Sequence, residues 1–360
     1  MFFFDGSSIR AAGPKPVIPT NVFRLSQTFT YGFSGVPQIV FYFPGVGTRA
    51  DSMSAVTGQG FDQIAMDAYI DLASNYQPGD RIYLFGFSRG AAAAAALSEL
   101  ISDPGLTSRD GLHVFPEIWR YLILDRNKEA ERERLRNRLS GLLWDDPPPE
   151  IEFLGAFDTV EGSSWDIAKL FTTVRIRDLA VPVRVKAAVQ VLAIDDDRNP
   201  SFSPFLWKAN SQLAEKVEQI WIPGVHADVG GMSDGTFLGN LALLTMIERI
   251  KSHCPEVELD DVYVDKPLRD LRDRSKLQIS NERPGLLRKL LRKNPRNMGG
   301  HVGECVHPIV DMLYGKTFKI KGRSSVYEPH NYVRDALPVC QTEHLELFKE
   351  ACARAIGSPS

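Results

Sequence analysis

The chain has 360 residues, 43% of them hydrophobic and 24% charged, with a formal net charge of −3. That length fits one large domain or two ordinary ones, the composition is that of a globular protein, and the near-balanced charge supplies no global field for nucleic acid. The four cysteines, Cys254, Cys305, Cys340 and Cys352, have neither close pairing nor metal-type spacing, which points to free thiols in a reducing compartment and to no metal site.

The opening, MFFFDGSSIRAAGPKP, has a short apolar patch but no basic n-region and no long h-region. The expectation is a protein made in the cytoplasm without a signal peptide, so that any export would use a signal-independent machine. No run approaches the ~18 apolar residues of a membrane span. Apolar runs without alternation at 2–4, 38–45, 81–87, 151–157 and 218–224, with a weaker one at 189–195, predict buried parallel strands. Helical patterns at 61–76, 91–101, 129–143 and 238–252 lie between them. Strands alternating with helices imply crossover connections and a mostly parallel, doubly wound α/β sheet with helices on both faces. In such sheets, ligands bind at the carboxyl ends of the strands.

Two further segments stand out. Residues 159–185 are expected to form a lid or pocket wall, with Trp165, Ile167, Leu170 and Phe171 offering apolar surface or core packing. RPGLLRKLLRKNPR at 283–296 carries six basic residues and no acid, interleaved with leucines. It reads either as a basic amphipathic face for anionic lipid headgroups or as a solvated loop. It is isolated and lacks interleaved aromatics, so nucleic acid is not an expected partner. The organisation expected is a single domain over 1–345 with a tail at 346–360.

The strand at 81–87 ends in Gly86-Phe87-Ser88-Arg89-Gly90 and six alanines follow, Ala91 to Ala96. G-x-S-x-G between a buried strand and a helix is the pattern of a nucleophile elbow: the turn is strained, Oγ projects over the sheet edge, and small flanking residues avoid clashes. The alanines give the close-packing surface that such an elbow needs. The helix N-terminus favours a developing oxyanion, with the Arg89 N–H as one donor. A serine in a capped turn is the plainer alternative.

A serine needs a base, and the base an orienting acid, in the chain order Ser, Asp or Glu, His. Asp158, ending IEFLGAFDTV, and Asp228, in WIPGVHADVGG, both follow strands beyond the serine strand. Either is equally readable as a turn-capping residue. His226 precedes Asp228 and so fits as base only if Asp158 is the acid. Four later histidines, His301, His307, His330 and His344, are not separated by spacing alone.

FFFDGSS, PTNVFRLSQTF, FYFPGVGT, LFGFSRGAAAA, FLGAFDTV, AIDDDR and WIPGVHADVGG occur here in that order. Over about residues 1 to 315 the chain thereby resembles the α/β-hydrolase family that includes the catalytic domain of type VI secretion phospholipase effectors. The resemblance implies an α/β-hydrolase fold, Ser88 as nucleophile and Asp228 as acid. The family's base lies in a segment resembling His-Pro-Ser-Val, and CVHPIV at 305–310 selects His307. Asp158 is then a supporting residue or the alternative acid, and His226 and Asp5 are further supporting or alternative residues.

Departures from the family pattern lie at Asp5-Gly6-Ser7-Ser8, at Gly231-Met232-Ser233 and at Ile309. The implied activity is hydrolysis of acyl-lipid esters, of phospholipase A type. Arg89 and Gly6 or Ser7 supply oxyanion N–H groups, with no cofactor. A soluble esterase or thioesterase and a non-catalytic binder on a hydrolase scaffold are the alternatives. If the protein is a toxin, the resemblance implies a neutralising immunity protein as partner.

Overall fold

The apolar runs assemble into one sheet in a computed structural model of the chain, which describes residues 1–6, 18–32, 35–45, 59–124, 127–144, 148–160, 181–198, 202–208, 214–233, 236–273, 277–281 and 295–357. Ten strands are present among these: β1 (Phe2–Phe4), β2 (Phe41–Phe43), β3 (Ile82–Phe87), β4 (Ile151–Phe157), β5 (Val185–Ala193), β6 (Val217–Ile222), β7 (Gln278–Ile279), β8 (Glu304–Val306), β9 (Thr317–Ile320) and β10 (Arg323–Val326). Seven form the main sheet, in the order β2-β1-β3-β4-β5-β6-β8, with every pairing parallel.

The helices are α1 (Asn21–Ser26), α2 (Gln59–Asn75), α3 (Arg89–Ser102), α4 (Phe115–Ile123), α5 (Glu129–Leu139), α6 (His226–Val229), α7 (Thr236–His253), α8 (Asp261–Asp273), α9 (Ile309–Leu313) and α10 (Leu345–Gly357). None of the described helices is long and apolar enough to cross a membrane. Successive residues of a strand face opposite sides. Phe3, Phe85, Phe153 and Val189 therefore meet one helical layer, which includes α7, while Phe2, Phe4, Leu84 and Leu154 meet the other, which includes α2 and α3. Both faces are covered, so the strands have no polar side. This is why they read as unbroken apolar runs rather than as alternation.

The strand order reverses around β1, which has β2 on one side and β3 on the other. Connections diverge there and leave a crevice at the carboxyl ends. The alanine run fits α3 into that position. Ala91 to Ala96 are all buried, between the sheet and the neighbouring helix α2, and a Cβ at Gly90 would lie 2.2 Å from the Phe4 carbonyl oxygen and 2.5 Å from that of Asp5. The helix can begin against the end of β1 only because Gly90 has no side chain.

Beyond 255, where the sequence pattern weakens, a second sheet of order β10-β9-β7 leans on the first. Residues 346–360, expected as a tail, instead carry most of α10, whose Phe348, Ala351 and Cys352 are buried. The helix is amphipathic, so its apolar stripe has a core to join. Of the expected lid at 159–185, residues 161–180 lie outside the described residues, as do residues 283–294 of the basic segment.

Candidate active site

Ser88 sits between β3 and α3 with φ 58° and ψ −125°. A non-glycine residue rarely adopts a positive φ, and one held there in a turn between buried elements stores strain. The Ser88 N–H donates to the Phe157 carbonyl (3.0 Å), which ties the turn to the end of the neighbouring strand β4. Asp158, the next residue on β4, also has positive φ, 44°. Its own N–H bonds the Val191 carbonyl of β5. Two adjacent parallel strands thus end in side-chain-bearing turns at the same level of the crevice.

His226 opens the short helix α6, just past the end of β6. Its Nε2 lies 2.9 Å from the Ser88 Oγ, and its Nδ1 lies 2.6 Å from the Asp158 Oδ2. The imidazole stacks on Phe87 (centroids 4.7 Å apart) and meets the edge of Phe202 at 5.2 Å. Close approach is again allowed by a missing side chain, since a Cβ at Gly230 would lie 2.2 Å from the Phe87 ring. The backbone N–H of His226 donates to the Asp196 Oδ2 (3.1 Å). Ring position and chain position are therefore fixed separately.

Asp158 is fully buried. Its Oδ1 accepts from the Ala193 N–H (3.0 Å) and from Arg296 Nη1 (2.6 Å), and its Oδ2 accepts from Arg296 Nη2 (2.9 Å). Burial by itself would raise this carboxyl. The Arg296 charge and the His226 hydrogen bond outweigh it and hold the group well below the usual carboxylate range.

Asp228 and His307 are not beside Ser88. The Asp228 Oδ2 accepts from the Val225 and Ser280 N–H groups, at 3.0 and 3.1 Å. It faces back into its own turn and toward the second sheet. His307 follows β8 and is fully buried; its Nδ1 accepts from the Ile309 N–H (3.2 Å), and its ring meets the edge of Phe348. Burial, then the nearby Arg249 charge, pushes its imidazole down to about 3, far from a base working near neutrality. The imidazole beside Ser88 is thus that of His226 and the carboxylate beside that imidazole is Asp158, in place of His307 and Asp228. The chain order Ser88, Asp158, His226 is kept. The likeness of CVHPIV to the family's histidine segment is local only, and β8, which precedes His307, lies two places further along the sheet than β5.

The other expected residues divide. Arg89 is the first residue of α3, so its N–H belongs to the turn that has no intrahelical acceptor. The Gly6 N–H, expected at the oxyanion, donates instead to the Asp5 Oδ1 (2.7 Å). The Asp5 Oδ2 accepts from Thr20 Oγ1 (2.8 Å) and from the Tyr42 hydroxyl (2.5 Å). Burial raises the Asp5 carboxyl against those three bonds. Ser7 lies outside the described residues. Arg296 belongs to the basic segment expected either as a lipid-facing surface or as a solvated loop; it is instead fully buried on Asp158. No spacing in the sequence could single it out, because its partner lies 138 positions away. No cluster suited to a metal ion occurs among the described residues.

The family model for the T6SS phospholipase effector Tle1-like catalytic domain matches residues 1–249. An uncharacterized protein of Saccharomyces cerevisiae, YEL023C, is 31% identical over 184 residues, covering 44% of this chain and 26% of the yeast protein. This chain thus spans about a quarter of the length of that curated relative. The crystal structure of an uncharacterized Pseudomonas aeruginosa protein overlays with a TM-score of 0.46 at 17% identity, covering 73% of this chain and 46% of the other. On the match over residues 1–249, this chain belongs to the Tle1-like phospholipase effector catalytic domain family of type VI secretion.

Proposed function

We propose that the protein is a serine hydrolase that cleaves carboxylic esters of acyl lipids, with a phospholipid as substrate and a reaction of the phospholipase A type. The observation that carries this reading is the hydrogen-bonded line from Ser88 Oγ through His226 to Asp158, at 2.9 and 2.6 Å. His226 Nε2 takes the Ser88 proton as Oγ attacks the ester carbonyl carbon. The resulting oxyanion receives the Arg89 N–H and the field of the α3 N-terminus. The imidazolium then returns the proton to the departing alcohol oxygen as the carbon–oxygen bond breaks, leaving an acyl-serine. A water, deprotonated by the same Nε2, attacks the acyl carbon, and the imidazolium returns that proton to Ser88 Oγ as the acyl–Oγ bond breaks and the fatty acid leaves. Asp158 keeps the proton on Nδ1 and stabilises the imidazolium formed at each transfer.

Family membership supports the lipid substrate, delivery by a signal-independent secretion machine and a neutralising partner protein. Arg296 takes no part in headgroup binding, being buried. The deciding experiment incubates wild type and Ser88→Ala with defined phosphatidylcholine and phosphatidylglycerol vesicles and identifies the products. Free fatty acid and lysophospholipid from wild type alone are expected. Equal product from Ser88→Ala refutes the serine mechanism, and cleavage of p-nitrophenyl butyrate without any lysophospholipid assigns a soluble-ester hydrolase instead.

A further inference from the structure

His226 lies between two carboxylates, and each carboxylate has its own guanidinium. At the ring, Asp158 is gripped by Arg296 through both carboxylate oxygens, at 2.6 and 2.9 Å. At the backbone, Asp196 receives the His226 N–H and pairs with Arg198 at 2.6 Å. Arg296 is also anchored by the carbonyls of Ala193 and Phe202, both 2.9 Å from it. Its own carbonyl accepts from the Asn331 amide. The side chain thus spans the end of β5, the loop that carries Phe202, and Asp158. Phe202 in turn packs its edge on the His226 ring and its face on Arg198.

We infer that Arg296 is the positioning residue of the catalytic acid: its bidentate pair aims Asp158 at His226 Nδ1, and its charge sets the pH below which the Asp158–His226 pair takes up a proton and stops acting as base. This rests on the serine-hydrolase reading above. Arg296 lies outside the residues matched by the family model, 1–249, so the match does not assign it a role.

Two effects are separable. A guanidinium with two parallel N–H donors fixes the plane of a carboxylate, which a lysine ammonium cannot do. A positive charge beside the pair opposes protonation, which either cation does and a neutral side chain does not. The charged groups around the pair are Arg296, Asp196 and Arg198, with Asp195 and Asp228 on the far side of the α6 turn. Apart from Arg296 they stay in place in the variants below.

The test follows the rate of Ser88 labelling by a fluorophosphonate against pH, which needs no knowledge of the natural ester. Arg296→Met should lower the plateau at least about tenfold and move its acidic limb up by about one to two pH units, the effect of losing one nearby unit charge. Arg296→Lys should lower the plateau similarly with the limb unmoved. A lowered plateau with an unmoved limb in Arg296→Met would mean a merely structural role and overturn the inference. Should Arg296→Met fail to fold, Arg296→Lys decides, and a wild-type plateau in it overturns the inference. Ser88→Ala is the control for the underlying reading, because labelling of that variant at the wild-type rate removes the serine mechanism whatever Arg296 does.

Discussion

Asp158→Asn gives the sharpest prediction, because its surroundings dictate which way the amide must face. The Oδ1 position is met by two fixed donors, the Ala193 N–H and Arg296 Nη1, and the Oδ2 position by only one, Arg296 Nη2. The amide oxygen of asparagine must therefore occupy the Oδ1 position, which turns the NH2 group toward His226 Nδ1. That nitrogen must then accept, the ring proton moves to Nε2, and Nε2 confronts Ser88 Oγ as a donor. A base in the wrong tautomer costs about 10⁴ in kcat, or about 5.5 kcal/mol of transition-state stabilisation. The same change leaves Arg296 charged and buried without its anion, a loss of about 3–5 kcal/mol in stability and a fall of about 4–7 °C in Tm. Hydrolysis of p-nitrophenyl butyrate and thermal unfolding followed by circular dichroism read the two effects separately. Adding Arg296→Met to Asp158→Asn should restore much of the Tm and none of the rate. A single variant Asp158→Asn within tenfold of the wild-type kcat would refute both the tautomer argument and the role of Asp158.

His307→Leu should leave kcat within about threefold of wild type, because His307 lies away from Ser88, and should cost about 1–3 kcal/mol through the orphaned Ile309 N–H; a collapse of kcat in a folded variant would return His307 to the reaction. Asp195 governs a stability-versus-pH effect. Burial pushes its carboxyl up to about 7, against the bonds from the Gly224 N–H and the Tyr327 hydroxyl and the Lys321 charge. The folded state thus holds a proton that the unfolded chain releases above about pH 4. The associated stability, up to about 4 kcal/mol, is complete below that pH and is lost as pH rises through about 7. Asparagine can still accept from Gly224 and Tyr327, so Asp195→Asn should melt above wild type at pH 8 by a margin that shrinks at pH 5. An equal margin at both pH values would contradict the assignment.

Six strands of the seven-stranded sheet were legible in the sequence because they lie between two helical layers and so appear as apolar runs bounded by Gly, Asp and Pro. The elbow was legible for a similar reason: the constraint at Gly86, Gly90 and the six alanines is local, between a strand and the helix that follows it. β8 and α10 were missed. β8 has only three residues, Glu304–Val306, too few for a pattern, and the apolar stripe of α10 has meaning only once a surface is there to receive it.

Sequence by itself determined the tight turn at Ser88, the α/β layering and a short list of candidate acids and bases that already held Asp158 and His226. Choosing among them was a tertiary matter. Which carboxylate and which imidazole share a crevice depends on which strands are neighbours: β3 lies beside β4, and β4 beside β5. The carboxyl ends of β3 and β4 bring Ser88 and Asp158 to one level, and the α6 turn after β6 returns His226 over them. Arg296 could be recognised only in the folded chain, because burying a guanidinium requires a carboxylate partner, and that partner is reached across 138 positions.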